Sequence, residues 1–494
     1  MEYCCSEGGG LRARNVANSS LRIARNTIIR SAAEIVNITL SAAFLIYVAR
    51  KLGNATYGIY AFSLSFAGIF VILSDFGLHI ILTREIVKNS HKAREYIGNV
   101  FLVKLVLSLA VFAVIWATTA VADYTAIKTK TLFLMALFVT GTSFLDFFNS
   151  IYRAHEDMHY ESLIMVLNRA TIVCSGIYAL HLDSGLDNFI LAILGANLLW
   201  VAISGVFCSI KYGKPRLVFD KDLVVSFFRK GFAVGLMLVF TVVYLKADTI
   251  IIEAFKGDAV VGWYNVSHRL IEILLSFATF YSAAIFPSFA SSFRTSQGST
   301  ATIYQNSIRF LLIIGLPCAL AVSFWSNQII LLAFGQAFME AAPALQILVW
   351  AGLLACVNMV TKYLMIAADM QKINALLLGV CTVANIVLNL MLIPTFSHIG
   401  ASFALLASET IYFLSSYLTI KKKGYVQELL INSWKPLIAV GGSSIVVIYL
   451  GLGQVAISCP LFFFIYFVIA FLLKTLRSED KLFLKKLLQL RSWV

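Results

Sequence analysis

Fourteen apolar stretches, each close to the roughly 20 residues that cross a bilayer as a helix, run almost end to end through this chain. Their approximate bounds are 28–49, 57–82, 98–121, 131–152, 161–181, 187–210, 231–252, 259–287, 305–324, 343–367, 373–393, 399–420, 435–451 and 454–473. A further stretch, 325–334, is hydrophobic but short. Such a chain has too few polar residues to face water as a globule. Of 494 residues, 60% are hydrophobic and 13% charged, against about 25% charged in soluble domains. The fold class is an all-α polytopic membrane protein of about 14 transmembrane helices.

A formal net charge of +14 raises the question of nucleic acid, and the distribution of charge answers it. With the N-terminus inside, 27 of the 39 Lys and Arg fall on the cytoplasmic side, five on the outer side and seven within the spans. The inner clusters include Arg84, Lys88, Lys92 and Arg94, the run from Lys211 to Lys230, and Lys421, Lys422 and Lys423. The outer five are Arg50, Lys51, Lys128, Lys130 and Lys256. This is the positive-inside pattern. It predicts an even number of spans, both termini cytoplasmic, and a multi-pass protein of the cytoplasmic membrane. No nucleic-acid partner is expected.

The opening residues, "MEYCCSEGGGLRARNVANSS", lack the basic-then-apolar order of a cleaved signal and read as a short mobile tail. The eight cysteines show no paired metal spacing, and most sit in apolar helices as small hydrophobes. Cys4 and Cys5 are the two whose position would suit acylation.

An internal echo divides the chain. Residues 53–60 read "GNATYGIY" and residues 257–264 read "GDAVVGWY", both fitting G-[ND]-A-x-x-G-x-Y. Each copy stands at the same point of a six-span set, on the outer side. Six spans return the chain to its starting side, so the halves are expected as parallel copies related by an axis along the membrane normal. The expected organisation is a cytoplasmic tail over 1–26, an N-lobe over 27–210 and a basic linker over 211–230. A C-lobe over 231–421, two extra helices within 422–474 and a second tail over 475–494 follow. Two such pseudo-symmetric bundles can rock about a site between them, which points to transport.

Thirteen ionisable residues lie inside the spans: Arg30, Glu34, Asp75, Lys104, Asp146, Arg169, Lys246, Asp248, Arg269, Glu272, Arg309, Lys362 and Glu409. Each would cost roughly 2.5–3.5 kcal/mol if it faced lipid, so most must face one another or a hydrated cavity. Plain structural roles compete for some. Arg30 and Glu34 are spaced to pair on one helix face. Lys246 and Arg309 stand near span ends, where a long side chain reaches the surface. Asp75 lies beside Gly77, where a helix bends easily. His79 and His268 suit either local hydrogen bonding or proton transfer. Arg30, Lys104, Arg169, Arg269 and Lys362 are the candidates for a cationic substrate-binding cavity. Glu34, Asp75, Asp146 and Glu409 are the candidates for proton or ion coupling.

"HEDMH" at 155–159 formally matches the H-E-x-x-H zincin pattern. It falls in a short inner loop with no third ligand motif, and reads as a polar helix connection; no metal site is assigned. No G-x-x-x-x-G-K-[ST] phosphate loop occurs, and no loop is long enough for a soluble catalytic domain. Neither catalytic residues nor a cofactor are expected, and the chain does not read as an enzyme.

"VARKLGNATYGIYAFSLSFAGIFVILSDFGLHIILTREI" (48–86) and "KADTIIIEAFKGDAVVGWYNVSHRLIE" (246–272) resemble matching regions of Wzx-type polysaccharide flippases. "AFGQAFMEAAPALQILVWAG" (333–352) and "ANIVLNLMLIPTFSHIGASFALLASE" (384–409) resemble the later regions of the same family. These flippases of O-antigen or oligosaccharide repeat units belong to the multidrug/oligosaccharidyl-lipid/polysaccharide exporter superfamily. The resemblance covers most of 25–425. It implies two six-helix lobes in a V about a central cavity, with two extra helices forming a hydrophobic groove. It also implies carriage of a polyprenyl-diphosphate-linked oligosaccharide from the cytoplasmic to the outer leaflet by alternating access, for cell-surface polysaccharide biosynthesis. Cationic residues on the first and eighth helices face the cavity in this family, and Arg30 and Arg269 stand in those regions. The implied partners are the lipid-linked glycan, the bilayer and other surface-polysaccharide assembly proteins.

The chemistry agrees with the resemblance. Lys and Arg can neutralise a diphosphate that hydrocarbon would exclude. A multidrug/cation antiporter of the same fold is the alternative, with a lipid II flippase or a membrane enzyme behind it. Cavity bases that at least equal the acids favour an anionic substrate.

Overall fold

A computed structural model describes the backbone of residues 6–122, 124–182, 185–295, 297–425, 434–449 and 455–473. Side-chain surroundings are described from residue 29 onward within those segments, apart from 294–299, 434, 436–437, 446–449 and 455–457. Cys4, Cys5 and the second tail over 475–494 lie outside the described residues.

Every long element among the described residues is an α-helix. In chain order these are α1 (Ser6–Asp75), α2 (Leu78–Lys88), α3 (Ala93–Val121), α4 (Ala126–Ala154), α5 (Met158–His181), α6 (Gly185–Tyr212) and α7 (Lys221–Lys256). There follow α8 (Asp258–Thr295), α9 (Gln297–Phe324), α10 (Ser326–Phe334), α11 (Ala342–Ala367), α12 (Gln371–Lys422), α13 (Trp434–Tyr449) and α14 (Val455–Leu472). The described residues contain ten helical segments long and apolar enough to cross a membrane, and the protein is a multi-pass membrane protein. Two of the ten are interrupted: Gly53 (φ 73°) breaks α1 and Ser397 (φ 57°) breaks α12.

The chain divides into two compact units, Met1–Leu52 with Phe62–Val242, and Gly53–Ala61 with Val243–Val494. In the first, α2 carries Leu78, Ile81 and Leu82 against Ile97 of α3 and Phe147 and Ile151 of α4. These are the i, i+3, i+4 positions that make one apolar helix face. The hydrophobic stretch 57–82 is not one helix. It stops at Asp75, passes Phe76 (φ 39°) and Gly77 (φ 75°), and restarts at Leu78. Glycine reaches that left-handed conformation without strain; a bulky residue such as Phe76 does not. Gly77 also lies against the backbone of Gly235 in α7, a closeness that side chains at either position would prevent.

In the second unit, Tyr281, Ile285 and Phe289 of α8 pack with Tyr304 and Ile308 of α9 and Leu364 of α11. The helices α13 and α14 join α9 through Val440, Tyr466 and Leu316, and the Tyr466 hydroxyl donates to the Ile313 carbonyl at 2.7 Å. The echoed octamers meet within this unit. A methyl on Gly58 would overlap the carbonyl oxygen of Asp258, and a methyl on Gly262 would overlap that of Asn54. The sixth position of each copy is thus glycine because the second position of the other copy lies against it. The first position is glycine for another reason: Gly53 and Gly257 both hold positive φ where one helix ends and the next begins.

Gly58→Ala and Gly262→Ala should each destabilise by about 1–3 kcal/mol through overpacking, seen as a lower thermal midpoint in detergent. Gly68→Ala, where the added methyl meets open space, should leave the midpoint unchanged or raise it.

Candidate functional site

The first unit gathers its buried charges where α1 ends. Asp75 is the last residue of α1 and His79 lies in the first turn of α2, so the break at 76–77 turns both side chains toward α3 and α4. One Asp75 carboxylate oxygen accepts from Lys104 Nζ at 2.6 Å, and the other bonds His79 Nδ1. Lys104 is 0% exposed. It also donates to Ser143 Oγ at 2.6 Å and stands 5.6 Å from the centre of the Phe144 ring. An ion pair this deep survives only when its remaining donors and acceptors are satisfied, and Ser143 and His79 do that here. Asp146, one turn from Ser143 on α4, is exposed on its helix and has His79, Arg153, Asp75 and Lys104 as charged neighbours.

A second group lies nearby in the same unit. Glu161, near the start of α5, accepts from Arg153 at 3.2 Å and pairs with Arg30 at 3.6 Å. Arg30 thus turns to Glu161 of α5; its side chain remains 44% exposed. Glu34 is half-buried and is an electrostatic neighbour of Glu161. Arg169 donates through Nε to Asn37 Oδ1 at 2.8 Å, tying α5 to α1.

The second unit holds two more groups. On α7 and α8, Glu272 pairs with Arg269, with Lys246 at 3.5 Å and with His268 at 3.5 Å. Two permanent cations therefore share one carboxylate, and Arg269 is 33% exposed. Tyr57 and Tyr60 are electrostatic neighbours of Arg269. Just below, Asp248 accepts from the Tyr264 hydroxyl and from the Thr249 amide at 2.7 Å. The other group centres on Glu409 of α12. Its oxygens accept from the Tyr244 hydroxyl at 2.7 Å and from Asn358 Nδ2 at 2.7 Å, with Lys362 as its cationic neighbour.

Of the residues singled out from sequence, Asp75, Lys104 and Asp146 come together, as do Lys362 and Glu409. Arg269 gathers Lys246 and Glu272. Arg30, Glu34 and Arg169 gather along α1 and α5. The partners Glu161, Arg153, Ser143, Asn37, Tyr244 and Asn358 were missed. They are single polar residues near span ends or in apolar runs, and only the packing of distant helices gives them meaning. Two expectations fail. Arg309 is 5% exposed and Lys246 is engaged with Glu272, so neither reaches out along a span end. Both helices extend well past the apolar windows, to Lys256 for α7 and back to Gln297 for α9.

The "HEDMH" segment is a turn. Glu156 has φ 60°, and His155 and His159 fall on either side of the gap between α4 and α5, not one turn apart on a single helix. The His155 ring stacks on Tyr212 at 4.3 Å. Asp157 accepts from Lys211 Nζ and the Tyr212 hydroxyl, each at 2.7 Å. Burial pushes the Asp157 carboxyl up, and these two donors outweigh it and hold it below the usual range.

The family described as polysaccharide biosynthesis protein matches residues 23–293. A relative from Haloferax volcanii named as the probable low-salt glycan biosynthesis flippase Agl15 is 23% identical, over 81% of this chain and 85% of its own length. The probable flippase AglR of the same organism is 25% identical over 79% of this chain and 82% of its own length. Among solved structures, the lipid II flippase MurJ in an inward closed conformation superimposes with a TM-score of 0.71, at 13% identity over 90% of this chain and 97% of that one. An inward-facing multidrug resistance MATE family transporter of the MOP superfamily gives 0.64, at 17% identity over 80% and 98%. The fold is of this kind.

Lys104→Ala should cost about 3–5 kcal/mol, because it leaves Asp75 charged and buried without its principal partner. The double variant Asp75→Leu/Lys104→Met should recover most of that loss in thermal unfolding of the purified protein.

Proposed function

Because the chain belongs to the polysaccharide biosynthesis protein family, we propose that it is a flippase. It carries a polyprenyl-diphosphate-linked oligosaccharide from the cytoplasmic to the outer leaflet by alternating access, and is a transporter, not an enzyme. The relatives named as glycan biosynthesis flippases support the substrate class. One observation carries the reading furthest: within membrane-crossing helices, Lys246 and Arg269 share the single carboxylate of Glu272 while Arg269 keeps a third of its side chain exposed. That surplus of positive charge suits a diphosphate, which Arg binds through paired N–H donors.

The other site residues take roles in the same reading. Arg30, Arg169 and Lys362 contribute further cations to the path of the anionic headgroup, and Lys104 supports them from within the buried pair. Glu34, Asp75, Asp146 and Glu409 are the coupling candidates. Fourteen spans follow if the ten long segments are divided at Gly53 and Ser397 and joined by α13 and α14. The reciprocal packing of Gly58 on Asp258 and Gly262 on Asn54 supports a two-fold relation between six-span halves of 27–210 and 231–421, with 211–230 as linker. An even span count with basic inner loops supports cytoplasmic termini in the cytoplasmic membrane. Association with other surface-polysaccharide assembly proteins is part of the same reading.

In proteoliposomes carrying a fluorescent polyprenyl-diphosphate sugar in the inner leaflet, the wild type should deliver the probe to the outer leaflet. Arg269→Ala should slow delivery at least tenfold, the equivalent of about 1.4 kcal/mol. Failure of the wild type to move the probe, with expulsion of a cationic dye instead, would identify a cation antiporter.

A further inference from the structure

We propose that Asp75 and His79, on either side of the left-handed break at Phe76–Gly77, form a proton-binding site whose occupancy α7 senses through Phe76. The inference rests on the transport reading and supplies its energy coupling. Three observations carry it.

The first is placement. Asp75 closes α1 and His79 opens α2, so their contact staples two helices across a non-helical joint. The helical ladder resumes only with the Ile81 amide on the Gly77 carbonyl, at 3.3 Å. Nothing else on these two residues would hold the angle of the joint so directly.

The second is charge balance. Lys104 of α3 neutralises Asp75. From α4, Asp146 and Arg153 face the same site, and Arg153 is already committed to Glu161, as is Arg30. On the far side of α2, Glu85 is held by Lys230 of α7 at 3.0 Å and by Lys88 at 3.9 Å. One carboxylate, Asp146, thus lacks a dedicated cation, and a protonated His79 would supply it. Histidine is the side chain that ordinarily changes charge between pH 5 and 8. Its Nδ1 faces Asp75 and carries the hydrogen, so Nε2 is the atom that gains and loses the proton. The side chain is 21% exposed, enough for water to reach it.

The third is the readout. Phe76, held at φ 39° between the two members of the staple, lays its ring 6.4 Å from Phe228 and 6.0 Å from Phe232 of α7. It also packs against Gly235, where a methyl would collide with both its ring and its carbonyl. Loss of the proton removes the charge attraction across the joint, and the relaxing joint moves Phe76 against α7. The helix α7 continues past Val242 into the second unit, so a shift there is not confined to the first.

The test is the full-length protein in detergent with Phe76→4-trifluoromethylphenylalanine, followed by fluorine NMR from pH 5 to 8 without substrate. The wild-type background should show one resonance titrating over that range. His79→Gln, which keeps a donor for Asp75, should abolish the titration, and Asp75→Asn should displace its midpoint. His91→Gln, on the exposed turn between α2 and α3, should change nothing. An untitrated resonance, a titration that persists in His79→Gln, an unmoved midpoint in Asp75→Asn, or a shift driven by sodium at fixed pH would each overturn the proposal. In proteoliposomes, an inward-directed or outward-directed pH gradient should change the wild-type rate of probe delivery several-fold and leave His79→Gln indifferent. Delivery that ignores pH in the wild type would overturn the proton site and spare the flippase. Absence of delivery would count against the flippase, while the fluorine titration would still decide the proton site.

Discussion

Everything in this protein answers to the cost of placing a charge where water is scarce. Insertion scales set that cost at roughly 2.5–3.5 kcal/mol per group, and the chain carries thirteen candidates within its apolar spans. The structure meets the cost by sharing. Asp75 is divided between Lys104 and His79, Glu161 between Arg153 and Arg30, Glu272 among Arg269, Lys246 and His268. Glu409 is served by neutral donors, Tyr244 and Asn358. Each group ties helices that hydrophobic packing alone would leave free to slide, so the charges are also part of what aligns the bundles.

The same groups differ in what they leave available. The Asp75–Lys104 pair is closed: Lys104 has no exposure and its donors go to Asp75 and Ser143. The Lys246–Arg269–Glu272 group is open and carries surplus positive charge. A closed, balanced group suits support or coupling; an open cationic one suits an anionic ligand. Our assignment of a lipid-linked diphosphate to this protein grows from that contrast, with the family as its premise.

Much of the fold was legible because the bilayer imposes a length and a polarity on every span. The glycines of the echoed octamer were legible as a repeat, and the structure adds their cause: two need positive φ and two admit the opposite copy's carbonyl. The bend near Asp75 was foreshadowed by Gly77. Partnerships were not legible. Arg30 meets Glu161 and Tyr244 meets Glu409 only after distant helices have packed, and no local spacing encodes that. Hydropathy windows also ended α7 too early and began α9 too late, which made Lys246 and Arg309 look peripheral when both lie well inside their helices.

The central claim is that the open cationic group recognises an anionic lipid headgroup. Equilibrium binding to the purified protein by thermophoresis would test it with three ligands: a polyprenyl-diphosphate sugar, the same sugar on a polyprenol without phosphate, and a lipophilic cation. The account predicts that the diphosphate form binds at least tenfold more tightly than the neutral form, and that the cation does not compete. Equal affinity for charged and neutral glycolipids, or displacement by the cation, would contradict it.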